Sequence, residues 1–233
     1  LFIYFITGMV TFIKKPKMIK NHLMIIDPAV VRPAIESFNR ISSIASYPIT
    51  YHLPALYGTD SIKSFNFNLR GIIILGSAAS VNESNNWQND LSEIVINAAS
   101  KNIPLLGICY GHQLIGHIFG GKVGPLWSGE KKQGKRIVKL EKTHLWGKPK
   151  SGPILYSHQD GIIKMPPGFN IIGKSELVSI DAIASTTKPI WGFQTHIEAT
   201  QAFVNEHHIP VKNPKACFNF GQTILDQFIL SLS

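Results

Sequence analysis

The chain holds 233 residues, 44% hydrophobic and only 16% charged, with 19 Gly and 14 Pro spread along it, which excludes an intrinsically disordered, collagen-like or coiled-coil protein. Two cysteines, Cys109 and Cys217, are too few for a disulfide framework or a four-thiolate zinc site, so a reducing, cytoplasmic setting is expected. The formal charge of +9 is unevenly placed: Lys14, Lys15, Lys17 and Lys20 lie near the start, eight basic residues fall between Lys131 and Lys150, and the remainder is near neutral.

Residues 1–17 run apolar for about 13 positions before a basic cluster, shorter than the ~20 a bilayer span needs. Their charges follow the apolar run, whereas a secretory signal carries them in front. They read as an extension outside the fold, with a membrane-associating tail as the alternative. Residues 18–233 read as one domain, and no membrane partner is expected.

From residue 23 onward, apolar runs of strand length alternate with longer helix-like stretches, the pattern of a parallel sheet covered by helices. A strand is predicted over 23–27 and a helix over 33–45, where Ile35, Phe38, Ile41 and Ala45 share a side. Strands follow at 49–53 and 71–75, the latter a continuous apolar run suited to burial on both faces. An amphipathic helix is expected over 87–101 and another buried strand over 104–109. Beyond Gly120 and Gly121 the runs shorten, and 123–138 and 154–172 predict antiparallel hairpins at one side of the main sheet. Strand pairs return over 182–196, and 214–232 closes the chain as a helix. The basic segment reads as a solvated, lysine-rich hairpin, with a surface for an acidic partner or nucleic acid as the alternative; on the favoured reading no nucleic acid is expected.

The segment PLLGICYGHQ (104–113) carries the chemistry. A buried strand runs into Gly-x-Cys-x-Gly and then a helix over 114–119, a nucleophile elbow with cysteine in the serine position. Gly107 and Gly111 allow a sharp turn that pushes Cys109 into the open at the carboxyl edge of the sheet, and the helix N-terminus favours the thiolate. The alternative is a buried structural cysteine. A base is offered by GFQTHIE (192–198): in extended chain residues two apart share a face, so Glu198 can orient His196. The remaining histidines show no metal-ligand spacing, so no metal is expected, and no Walker-type loop is present.

With GIIILGSAASV (71–81) and SHQD (157–160), these motifs make the chain resemble the class I, triad-type glutamine amidotransferases, most closely stand-alone relatives of the GMP synthetase glutaminase domain. The resemblance covers about residues 20–230. It implies a three-layer, flavodoxin-like α/β fold whose mostly parallel central sheet is flanked by helices, with a small antiparallel side sheet. It implies no cofactor, and attack by Cys109 on the side-chain amide of glutamine, with His196 moving protons and Glu198 orienting it. The oxyanion hole would use the amide of Tyr110 and one from the loop at Gly76 and Ser77, where the family usually has Gly-Gly-Pro. Gln113, Ser157, His158 and Asp160 match substrate-holding positions, with a structural turn role for His158 as the alternative. Thr195 and Ile197 depart from the usual Phe-His-Pro-Glu. The resemblance leaves three outcomes: ammonia release for a separate synthetase subunit, independent hydrolysis of γ-glutamyl peptides, or a non-catalytic regulatory relative.

Overall fold

The computed structural model describes residues 20–63 and 68–233, and the backbone of two further strands near the start. In chain order the elements are β1 (Ile3–Ile6), β2 (Met9–Phe12), β3 (His22–Ile26), α1 (Ile35–Ser42), β4 (Ile49–His52), α2 (Pro54–Tyr57), α3 (Asp60–Lys63), β5 (Leu69–Ile74), α4 (Asn86–Ser100), β6 (Leu105–Ile108) and α5 (Tyr110–Ile118). They continue with β7 (Lys122–Pro125), β8 (Lys132–Leu140), β9 (Lys150–His158), β10 (Asp160–Lys164), β11 (Phe169–Lys174), β12 (Ala182–Ser185), β13 (Ile190–Phe193), α6 (Gln201–Glu206) and α7 (Lys215–Leu230). β1 and β2 pair with each other. The rest of the extension read from the sequence over 1–17 lies outside the described residues.

Side-chain alternation on the strands produces the layers. On β3, Leu23 and Ile25 turn to the side covered by α1 and α7, while Met24 and Ile26 turn to the side covered by α4 and α5. On and just after β5, Ile73 and Leu75 go one way, Ile72 and Ile74 the other. Both faces are therefore apolar, and the strands read as unbroken hydrophobic runs because each residue has a layer to enter. Each of these isoleucines, fully buried, contributes roughly 1.5–3 kcal/mol.

The main sheet has nine strands in the order β4-β3-β5-β6-β13-β12-β11-β8-β9. The pairs from β4 to β13 are parallel; those from β13 to β9 are antiparallel. The predicted hairpins thus extend the central sheet, and β7 with β10 makes the separate two-stranded side sheet. The antiparallel half curls back far enough for its last strand to meet the chain leaving β13, where His196 N donates to the Leu155 carbonyl at 2.9 Å.

Four short or shifted helices depart from the sequence reading. α2 and α3, too short for a helical period to show, fill the stretch after β4 where the sequence predicts no element. α6 is likewise brief; the Thr200 hydroxyl caps it by accepting the Phe203 N–H. α5 begins at Tyr110, directly after the cysteine and four residues before the predicted start, because Cys109 itself makes the turn.

Candidate active site

β5, β6 and β13 lie side by side in parallel, with Ile74 opposite Gly107 and Phe193 opposite Ile108. Their carboxyl ends therefore deliver Gly76–Ser77, Cys109 and Gln194–His196 to one edge of the sheet, where open α/β folds bind ligands. Cys109 has φ 51° and ψ −98°, a left-handed backbone that only a tightly determined turn imposes on a non-glycine residue. The flanking glycines are steric necessities: a Cβ on Gly107 would lie 2.4 Å from the Gly111 carbonyl, and one on Gly111 would lie 2.4 Å from the Ile74 carbonyl oxygen. The first amides of α5, Tyr110 among them, have no partners within the helix and stand beside the cysteine. The cysteine is not pushed into the open: it is 5% exposed and lines a cavity of about 730 Å³.

His196 and Glu198 meet, but not as alternate residues of a strand. β13 ends at Phe193, and a turn in which Ala199 N donates to the His196 carbonyl brings the carboxylate round to the ring. His196 Nδ1 donates to Glu198 Oε1 at 2.8 Å, with both side chains almost wholly buried. Burial works against a charged ring here, but the carboxylate of Glu198 and then the neighbouring Cys109 side chain outweigh it, and the pKa is raised to about 10. His196 Nε2, also buried, has no nitrogen or oxygen partner among the described residues. Phe203 covers the ring at 4.3 Å between centroids, and His207 stacks behind Phe203 at 4.5 Å. The backbone of Gly76 closes the other side, where a Cβ would come within 2.8 Å of His196 Cε1.

Ser77 keeps an ordinary backbone conformation, outside the left-handed residues. Its hydroxyl donates to the Pro28 carbonyl at 2.7 Å and accepts the Ala79 N–H at 3.1 Å, so the serine at this position ties the loop down without strain. Tyr110 turns its side chain into the core, where Gln88 Nε2 donates to its hydroxyl at 3.2 Å and burial raises its pKa to about 12.

Gln113, Ser157, His158 and Asp160 all line the same cavity. Gln113 Nε2 donates to the Asp160 carbonyl at 2.9 Å, and the Asp160 carboxylate accepts the Ser80 hydroxyl at 3.5 Å. Ser157 Oγ is buried and unpartnered among the described residues. The ring of His158 is fully engaged: Nε2 faces Arg136 NH1 and Nδ1 faces the Asp160 carbonyl, each at 2.9 Å. Burial, reinforced by the Arg136 charge, lowers its pKa to about 3. His158 thus serves the turn with its ring, the alternative that its sequence leaves open.

Sequence reasoning passes over three residues at the site. Gln194, inside the quoted GFQTHIE, donates Nε2 to Cys109 Sγ at 3.8 Å and is wholly buried. Arg136 and Asp181 form a buried bidentate ion pair beneath His158, 45 residues apart in the chain. A polar residue two before the proposed base is the available signal for the first; nothing local signals the pair. Among the described residues no three His, Cys, Asp or Glu side chains are grouped closely enough to hold a metal, and no helix is long and apolar enough to cross a membrane.

The family described as glutamine amidotransferase class-I matches residues 39–210, about three quarters of the chain. The chain is 36% identical over 149 residues to one subunit of the glutamine-hydrolyzing GMP synthase of Pyrococcus abyssi, covering 63% of this chain and 74% of that one. It is 34% identical over 167 residues to the glutamine-hydrolyzing GMP synthase of Thermosipho melanesiensis, covering 71% of this chain and 28% of that protein, so it spans little more than a quarter of that relative. Among solved structures, a GMP synthase subunit from Thermoplasma acidophilum superposes with a TM-score of 0.69 at 21% identity, over 91% of this chain and 94% of that one. A glutamine amidotransferase of Methylobacillus flagellatus gives 0.71 at 17% identity, over 92% and 96%. These structural likenesses concern the fold.

Proposed function

The chain belongs to the class-I glutamine amidotransferase family, and on that premise we propose that it hydrolyses the side-chain amide of glutamine through a cysteine thioester and releases ammonia. The observation that carries the reading is the cysteine held left-handed at a helix N-terminus beside a buried imidazole paired to a carboxylate. In this reading the Cys109 sulfur attacks the carboxamide carbon, and the oxyanion is held by the Tyr110 amide with one from the Gly76–Ser77 loop. His196, protonated and oriented by Glu198, gives its proton to the departing nitrogen, so that ammonia leaves and a γ-glutamyl thioester remains. Water then attacks, His196 takes back a proton, and glutamate departs as the sulfur regains its charge. Asp160 pairs with the substrate ammonium, while Gln113, Ser157 and the backbone at His158 hold the remainder of the glutamyl group.

Residues 18–233 form the amidotransferase domain in this reading, and two free cysteines fit a reducing cytoplasm. The ammonia goes to a separate synthetase chain; the Pyrococcus relative, named as one subunit of a GMP synthase, supports that division of labour. A second reading, hydrolysis of γ-glutamyl peptides, draws support from the cavity, which continues past Cys109 to Lys131, Glu206 and His207 and offers more room than glutamine fills.

The test is ammonia and glutamate release from glutamine and, separately, cleavage of γ-glutamyl dipeptides, each with Cys109→Ala as control. We expect slow glutamine turnover that Cys109→Ala removes, a loss of at least about a thousandfold. Turnover surviving in Cys109→Ala would overturn the mechanism, and brisk dipeptide cleavage with idle glutamine would favour the second reading.

A further inference from the structure

A closed circuit of buried and partly buried hydrogen bonds runs beneath the cavity, and its polarity is fixed at two points. Arg136 donates Nε and NH2 to the two oxygens of Asp181, both at 2.8 Å, and NH1 to His158 Nε2 at 2.9 Å. A guanidinium only donates, so Nε2 of His158 is the acceptor and Nδ1 carries the hydrogen, which goes to the Asp160 carbonyl. That carbonyl only accepts, so the atom of Gln113 facing it at 2.9 Å is the amide nitrogen. The same nitrogen reaches Gln194 Oε1 at 3.3 Å, which leaves the Gln194 nitrogen facing Cys109 Sγ. The backbone closes the ring, with Gln194 N donating to the Asp181 carbonyl at 2.8 Å. Neither glutamine can flip its amide without setting donor against donor or acceptor against acceptor.

We propose that Gln194 is a further catalytic residue, whose side-chain N–H, aimed by Gln113 and by the buried Arg136–Asp181 circuit, hydrogen-bonds the Cys109 sulfur and stabilises its negative charge. The inference deepens the glutaminase reading and rests on it for the reaction served. The sulfur is charged before it attacks the amide and again when the thioester breaks, and a donor held at the sulfur favours both states. The geometry suits this use: Gln194 has no exposed surface, so water does not compete for its hydrogens, and hydrogen bonds to charged groups are the strong ones.

The full chain, carrying Cys217→Ala so that one thiol reports, is treated with iodoacetamide at pH 7, and modification of Cys109 is followed by mass spectrometry. Gln194→Met removes the donor at nearly constant volume. We expect alkylation to slow about tenfold, the effect of losing one hydrogen bond to a charged group. The melting temperature separates this from general loosening, which would speed alkylation. If Gln194→Met fails to fold, Gln194→Asn withdraws the amide by one methylene and is expected to slow alkylation comparably. Alkylation within twofold of the parent in a folded variant overturns the proposal. Because the assay uses no glutamine, that result leaves the glutaminase reading standing, and a chain that ignores glutamine yet shows the tenfold effect separates the two in the other direction.

Discussion

The two halves of the central sheet hold their functional groups by opposite means. The parallel half positions the backbone of Cys109 by steric exclusion: apolar strands buried on both faces, two glycines with no space for a methyl group, and one left-handed turn. The antiparallel half positions the Ser157–Asp160 segment with side chains, through a buried arginine, an aspartate and a histidine whose bonds all have fixed direction. A site can thus be made rigid by excluding alternatives sterically or by leaving polar groups no other partner, and this chain uses one method on each side of the cavity.

The contrast can be broken first where charge is the fastener. Arg136→Met should destabilise the fold by about 3–5 kcal/mol, because it leaves the Asp181 carboxylate buried and unpaired. The double variant Arg136→Met with Asp181→Leu should recover most of that loss in a denaturant titration while leaving glutamine binding weak. A double variant no more stable than the single one would mean that packing, not charge, fastens this half.

On the parallel side a single methyl group suffices. Gly107→Ala places a carbon against the Gly111 backbone and should cost roughly 3 kcal/mol or more, with activity falling in step as the turn opens. A variant that stays as stable as the parent would show that the strand and helix have room to part.

His196 sharpens the comparison because it stands at the seam, its backbone pinned to β9 and its ring charged by Glu198. Its folded pKa of about 10 lies above the ordinary value of 6.5, so the stabilisation is complete below about pH 6.5 and is lost as pH rises towards 10. Glu198→Gln removes the largest cause of the raised pKa. The stability gap between parent and variant should therefore be widest near pH 6 and narrow steadily towards pH 10 in thermal melts. A gap that is flat or grows with pH would mean the ring is neutral in the folded chain.

What is legible in the sequence follows the same division. Apolar runs and the Gly-x-Cys-x-Gly turn are local, so the parallel half and the place of Cys109 can be read from neighbouring letters. The sequence brings His196 and Glu198 together for a reason that does not hold: a turn, and not an extended strand, joins them. Arg136 with Asp181, and Gln194 with Cys109, depend on how the antiparallel strands curl, which no short window records. Arg136 in particular sits among exposed lysines on β8, and only its inward-facing position distinguishes it from a solvated charge.

The bond between His196 and Leu155 has a consequence for the solubility of the protein. β9 is the outermost strand of the sheet, and an outermost strand offers its free carbonyls and amides to any other chain in search of a pairing partner. By taking the Leu155 carbonyl, the histidine's own backbone occupies part of that edge, so the contact that seats the ring also blunts a template for aggregation.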